Sequence, residues 1–291
     1  MAAHTIHGAD LDHVAHAVTR WQDVWTRYAV DLGAEWNSGG PGPGFAPGQL
    51  CFANDARVEV LMPYDVEVND FLVRFLTTNG PGPHHLTFKV PDLAHALDTV
   101  RAAGWEPIGV DLSHPEWMEA FLHPKRATGI VVQLAEAPAA WVSPPPDDYP
   151  TERRQRPYGA GPFPPASLLR VHHVVADLDL ALRLFGDLLG GEVADEGTGP
   201  ALRWVELGWG GPLGLRLVAP EPGGSGPLAE WIAGRPGRVH HLELSVEDPG
   251  HLVGARPAMA PLAVSGHRDA EQPWEIAPED NCGLGLVFVT R

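Results

Sequence analysis

Four side chains of metal-ligand type stand inside short, alternating apolar runs: His13 in LDHVAHAV, Glu59 in RVEVLMP, His85 in HHLTFKV and Gln133 in GIVVQLAE. Side chains alternate across a strand, so His13 shares a face with Ala15 and Ala17, Glu59 with Arg57 and Leu61, His85 with Thr87, and Gln133 with Val131. Two imidazoles, a carboxylate and an amide oxygen would make a nitrogen/oxygen site for a divalent first-row metal with one or two open positions. Periodicity alone leaves another reading open, because a lone histidine in an apolar strand often serves as a hydrogen-bonded core residue.

The elements that would position these residues form a repeat. A histidine opens an apolar run at His13, His85, His173 and His241, and each run leads into a helical stretch or, after the fourth, into a shorter polar segment. Such recurrence marks one supersecondary unit used several times, so its chemistry can be compared copy by copy. Strands are expected near 10–18, 48–54, 57–63, 84–90, 106–111, 116–122 and 128–135, with helices near 20–32, 67–79 and 92–104. The same order recurs after residue 170. Between the halves, Glu136 to Ser167 contains PPP, TERRQR and GAGPFPP, too much proline and glycine to continue a helix or a central strand. The expected organisation is one domain over 1–135, a linker over 136–167 and a second domain over 168–291.

Composition narrows the partners. The chain has 291 residues, is 44% apolar and carries a net charge of −17, which disfavours nucleic acid and anionic membrane surfaces because both require a basic patch. No stretch approaches the ~20 apolar residues of a membrane span. Cys51 and Cys282 are distant and show no CxxC spacing, and MAAHTIHGAD has no signal-peptide character, so a cytoplasmic location is expected. The expected partner is a small molecule, with pairing of two copies left open. GGPGPG at 39–44 has two prolines and no following lysine, and reads as a flap rather than a phosphate loop.

LDHVAHAV, RVEVLMP, GPHHLTFKVPDL and EAFLHPKRATGIVVQLAE resemble the vicinal oxygen chelate superfamily, which includes glyoxalase I, methylmalonyl-CoA epimerase, extradiol dioxygenases and antibiotic-resistance proteins. The epimerase-like branch is the nearest in HHLTFKV and in FLHPK followed by GIVVQL. The resemblance implies an α+β fold: two domains, each a pair of βαβββ modules forming a curved mixed sheet around a cavity, four modules in all. It also implies one divalent transition metal (Zn, Mn, Co, Ni or Fe) held by His13, Glu59, His85 and Gln133. The implied chemistry is that of an isomerase, epimerase or lyase removing a proton next to a carbonyl, with a non-catalytic drug-binding protein and a ring-cleaving dioxygenase as alternatives.

One departure bears on mechanism. The epimerase pattern has an amide at the position of Glu59 and a carboxylate at that of Gln133, so the two are exchanged here. Gln133 has no usable basicity, which leaves Glu59 as the candidate base inside the ligand set and Glu119 as a second carboxylate, the latter also readable as an exposed edge-strand residue. In the second half, His173 and His241 are expected where His13 and His85 stand, Arg216 opposite Glu59, and Val287 or Val289 opposite Gln133. A cation beside two histidines repels a metal, so this half reads as a repeat without a metal site, open to a small anion at His173, Arg216 and His241. The same loss lowers the rank of an extradiol dioxygenase, whose triad would sit in this half. His16 is expected on the opposite side of its strand from His13.

Overall fold

The computed structural model describes residues 4–137, 143, 163–199, 201–221, 226–258 and 273–290. Two eight-stranded mixed sheets organise them. The first contains β1 (Asp10–Ala17), β2 (Glu35–Gly39), β3 (Gly44–Cys51), β4 (Arg57–Tyr64), β5 (Gly82–Lys89), β6 (Pro107–Asp111), β7 (Met118–Leu122) and β8 (Val131–Glu136), in the order β2-β3-β4-β1-β5-β8-β7-β6. The second contains β9 (Ser167–Val175), β10 (Glu192–Gly199), β11 (Leu202–Gly208), β12 (Gly214–Pro220), β13 (Gly237–Val246), β14 (Arg256–Pro257), β15 (Trp274–Ile276) and β16 (Gly285–Thr290), in the same order copy for copy. Within each sheet two four-stranded modules meet along an antiparallel seam, β1 against β5 and β9 against β13. The strands β1 and β4, and β5 and β8, run parallel, as crossover connections require.

Helices back these sheets where the sequence has helical period. α3 (Leu93–Ala102) starts at Asp92, whose side chain accepts from the His95 amide, and buries Leu93, Ala96, Leu97 and Val100 on one stripe. α1 (Gln22–Trp25) and its counterpart α4 (Leu178–Leu182) each continue into a six-residue π-helix, Thr26–Asp31 and Arg183–Leu188. The helix α2 (Phe71–Asn79) joins the two modules of the first half and α5 (Pro227–Ile232) those of the second. One expectation changes. β2 and β10 are strands that the sequence reading left out, because EWNSG and EVADEGTG lack apolar alternation. GGPGPG forms the tip of the β2–β3 hairpin, with Gly42 bridged to Phe45. The proposed linker lies outside the described residues except at its ends and at Ser143; Glu136 closes β8 and Ser167 opens β9.

One apolar core runs through both halves, from Leu11, Val14 and Phe88 to Val171, Phe185 and Leu207. Two related polar contacts cross it. His16 Nε2 lies 2.9 Å from the Cys282 carbonyl, and His173 Nε2 lies 2.8 Å from the Thr128 carbonyl. A carbonyl only accepts, so each Nε2 is the donor, and the other ring nitrogen of His16 accepts from the Tyr28 hydroxyl at 2.9 Å. Thr128 and Cys282 both have left-handed backbone, φ 54° and 48°, and each precedes a glycine of positive φ that packs on the other half, Gly129 on Gly237 and Gly283 on Pro81.

Candidate functional site

Strand pairing puts the predicted residues on one face of the first sheet. One rung across it reads Gln49, Glu59, Ala15, His85, Val131; the next reads His13, Thr87, Gln133, Phe121. Ala15, the smallest side chain of its rung, separates Glu59 from His85. His13 Nε2 lies 3.4 Å from Glu59 Oε1, and His85 Nε2 lies 3.8 Å from Glu59 Oε2. The three prospective ligand atoms are all within 4.8 Å of one another, and His13, Glu59 and His85 are all buried. Both Nε2 atoms are buried without a hydrogen-bond partner, a costly arrangement for bare imidazoles and the one a metal would relieve. The donor set and the orphaned nitrogens therefore fit a divalent transition metal.

Gln133 joins the same face differently. Its Oε1 accepts from the Thr87 hydroxyl at 2.5 Å and its Nε2 donates to Glu119 Oε2 at 2.7 Å, so both ends of the amide are engaged. Glu119 also accepts from Trp117 Nε1 at 2.9 Å. It is partly buried and linked to the ligand face through Gln133, and burial raises its carboxyl above the usual range. α2 covers one end of this face, where Leu72 packs with Ala15, Ala17 and Leu61, and Phe71 and Phe75 flank His84.

The two histidines differ electrostatically. Burial pushes both toward the neutral form, but at His13 the Glu59 and Asp12 carboxylates prevail and raise it to about 9. His85 has no such compensation: burial, then His84 and His13, hold it well below its ordinary value. Sequence reasoning missed two neighbours that hold the rings, Asp12, whose Oδ2 accepts from His13 Nδ1 at 2.7 Å, and His84, whose Nδ1 lies 2.8 Å from His85 Nδ1.

The second half corrects one expectation. Pairing places Ala15 beside Glu59 and His172 beside Arg216, so His172 is the counterpart of Ala15, and Arg170 that of His13. His173 is instead the counterpart of His16 and faces the other half of the chain, so a small anion held by His173, Arg216 and His241 together has no structural basis. Val287 takes the place of Gln133, and Glu206 that of Gln49. His172 fills the space Ala15 leaves open, stacking on His241 at 4.0 Å. Around it, Arg216 Nη2 lies 2.5 Å from Glu206, and Glu243 lies 2.8 Å from His172 and 3.2 Å from Arg170. Among the described residues this half offers no group of three metal-ligating side chains.

No protein-family model matches the chain, and a comparison with curated proteins finds none that matches. Among solved structures, a triple mutant of 4-hydroxymandelate synthase from Streptomyces coelicolor aligns with 97% of this chain and 92% of its own, at TM-score 0.66 and 13% identity. Methylmalonyl-CoA epimerase from Mycobacterium tuberculosis aligns with 47% of this chain and 93% of its own, at 24% identity and TM-score 0.42. A hypothetical protein from Bacillus halodurans aligns with 46% of this chain and 99% of its own, at 24% identity and TM-score 0.41. The whole-chain alignment and the two sheets show the vicinal oxygen chelate fold. No helix among the described residues is long and apolar enough to cross a membrane.

Proposed function

We propose that the chain is a divalent-metal-dependent enzyme of glyoxalase-like chemistry, an isomerase, epimerase or lyase that removes a proton alpha to a carbonyl of a small substrate bound through adjacent oxygens. The observation that carries this reading is the buried convergence of His13, Glu59 and His85 with two unpartnered imidazole nitrogens. These three residues would hold the metal, with Gln133 as the fourth member at its margin. When bound, the metal supplies Lewis acidity toward the substrate oxygens and favours loss of the neighbouring proton. Glu59 is the base in this scheme, since the amide of Gln133 cannot accept a proton. Glu119, fixed by Gln133 and Trp117, is the second carboxylate within reach of the same face.

The test is metal analysis of protein purified without chelator, paired with solvent deuterium exchange into 2-oxo acids, thioesters and hemithioacetals. One metal per chain and exchange into one class support the reading; a chain that takes up no metal overturns it. A second reading, an oxygen-using enzyme, is favoured by a single feature: with Gln133 drawn to Thr87 and Glu119, the set reduces to two histidines and one carboxylate, which suits iron(II). Oxygen uptake that appears with iron(II) and not with zinc would select it.

A further inference from the structure

Asp12 has no place on the ligand face by simple alternation, yet it contacts His13. The reason is a β-bulge. Leu11 pairs with Phe88 and His13 with Thr87, so Asp12 is skipped in the β1–β5 ladder. The skipped residue turns its carboxylate to the ring: Oδ2 is 2.7 Å from His13 Nδ1, while Oδ1 meets Arg57 Nη1 at 2.7 Å and Lys89 Nζ at 3.4 Å. Its side chain is 8% exposed. A carboxylate accepts only, so it keeps a proton on Nδ1 and leaves Nε2, the nitrogen that faces Glu59, as the one that would ligate a metal.

The second half is an internal control. The β9–β13 ladder skips Leu169 in the same way, with Leu168 paired to Leu244 and Arg170 to Glu243. The bulge thus belongs to the scaffold, and the carboxylate does not. At the positions of Asp12, Arg57 and Lys89 the second half has Leu169, Gly214 and Ser245, and it forms the same sheet without them. By contrast the contact between paired histidines is kept in both halves, His84 with His85 at 2.8 Å and His240 with His241 at 2.9 Å, as a feature of the fold rather than of the ligand set.

We infer that Asp12, braced by Arg57 and Lys89, is a positioning residue that fixes the ring and tautomer of His13 for metal binding. This rests on the metal reading above. The experiment measures cobalt(II) and zinc(II) affinity by chelator competition for wild type, Asp12→Leu, Asp12→Asn and Asp12→Glu, with solvent exchange of the His13 Nδ1 proton followed by NMR of the zinc-loaded protein. The expected result is a loss of roughly 10- to 100-fold in affinity for the Leu and Asn variants. The Nδ1 proton, without its carboxylate acceptor, should exchange faster with solvent in both, and Asp12→Glu should recover part of the affinity. Thermal unfolding of the metal-free proteins separates this from a folding defect, and the Asn variant serves if the Leu variant does not fold. Wild-type uptake with Leu and Asn affinities within threefold of it, and Nδ1 proton exchange unchanged, would overturn the role of Asp12 alone. A wild type that takes up neither metal would overturn the metal reading and this inference with it.

Discussion

At the residue scale, Glu59 touches both imidazole edges of the site, and its replacement by glutamine separates holding a metal from moving a proton. An amide oxygen still coordinates, so Glu59→Gln should retain much of the metal yet lose deuterium exchange, measured on protein of checked metal content. Full exchange in that variant would shift the base to Glu119. His85→Ala removes a buried ligand and should lower metal affinity by at least tenfold. His13, Glu59, His85 and Gln133 were legible because each is a polar residue in an apolar alternating run. Asp12 was not, because alternation sends the neighbour of a ligand to the opposite face and only the bulge reverses that. The same limit explains His173: the doublets HHVV and HHLE look alike as strings, yet the in-register residue is the first of one pair and the second of the other.

At the scale of elements, the central strands and the main helices follow from apolar period, while β2 and β10 do not, since each is an edge strand formed by hydrogen bonding to a neighbour rather than by an apolar pattern. β14 and β15 are too short to carry any period. The turn before β8 is legible only in part: the glycine is visible, but not what it meets. Gly129 has φ 91° and its position faces the Gly237 carbonyl, so Gly129→Ala adds both backbone strain and a clash with the opposite half. It should destabilise the chain by roughly 2 kcal/mol or more in urea unfolding, whereas alanine at Gly104, which has open space beside it, should cost about 1 kcal/mol from φ alone. In β12, Arg216→Leu removes one of the two arginines that face the Glu206 carboxylate, leaving Arg170 alone beside it. It should cost about 3 kcal/mol of stability with metal content unchanged.

For the whole molecule, the two histidines between the halves make stability depend on acid. Burial lowers both His16 and His173 to about 4, against 6.5 for the unfolded side chain, because the folded chain disfavours their charged form. Between those values the unfolded chain binds more protons, so stability is complete above about pH 6.5 and falls as pH drops toward 4, by about 3 kcal/mol per histidine at the lower end. Urea unfolding at pH 7 and pH 5 should show the loss, and His16→Gln should make it shallower. An identical slope in that variant would remove His16 from the account.

The reciprocal histidine–carbonyl contacts have a consequence for how the protein can be taken apart. His16 obtains its acceptor from the turn at Cys282, and His173 from the turn at Thr128, so each buried imidazole is satisfied by the opposite half. Separated, each half would leave one buried imidazole donor and one turn carbonyl without a partner. Residues 1–143 and 144–291 expressed apart should therefore be poorly structured, yet co-expressed they should reassemble as a non-covalent heterodimer, detectable by co-purification through a tag on either piece.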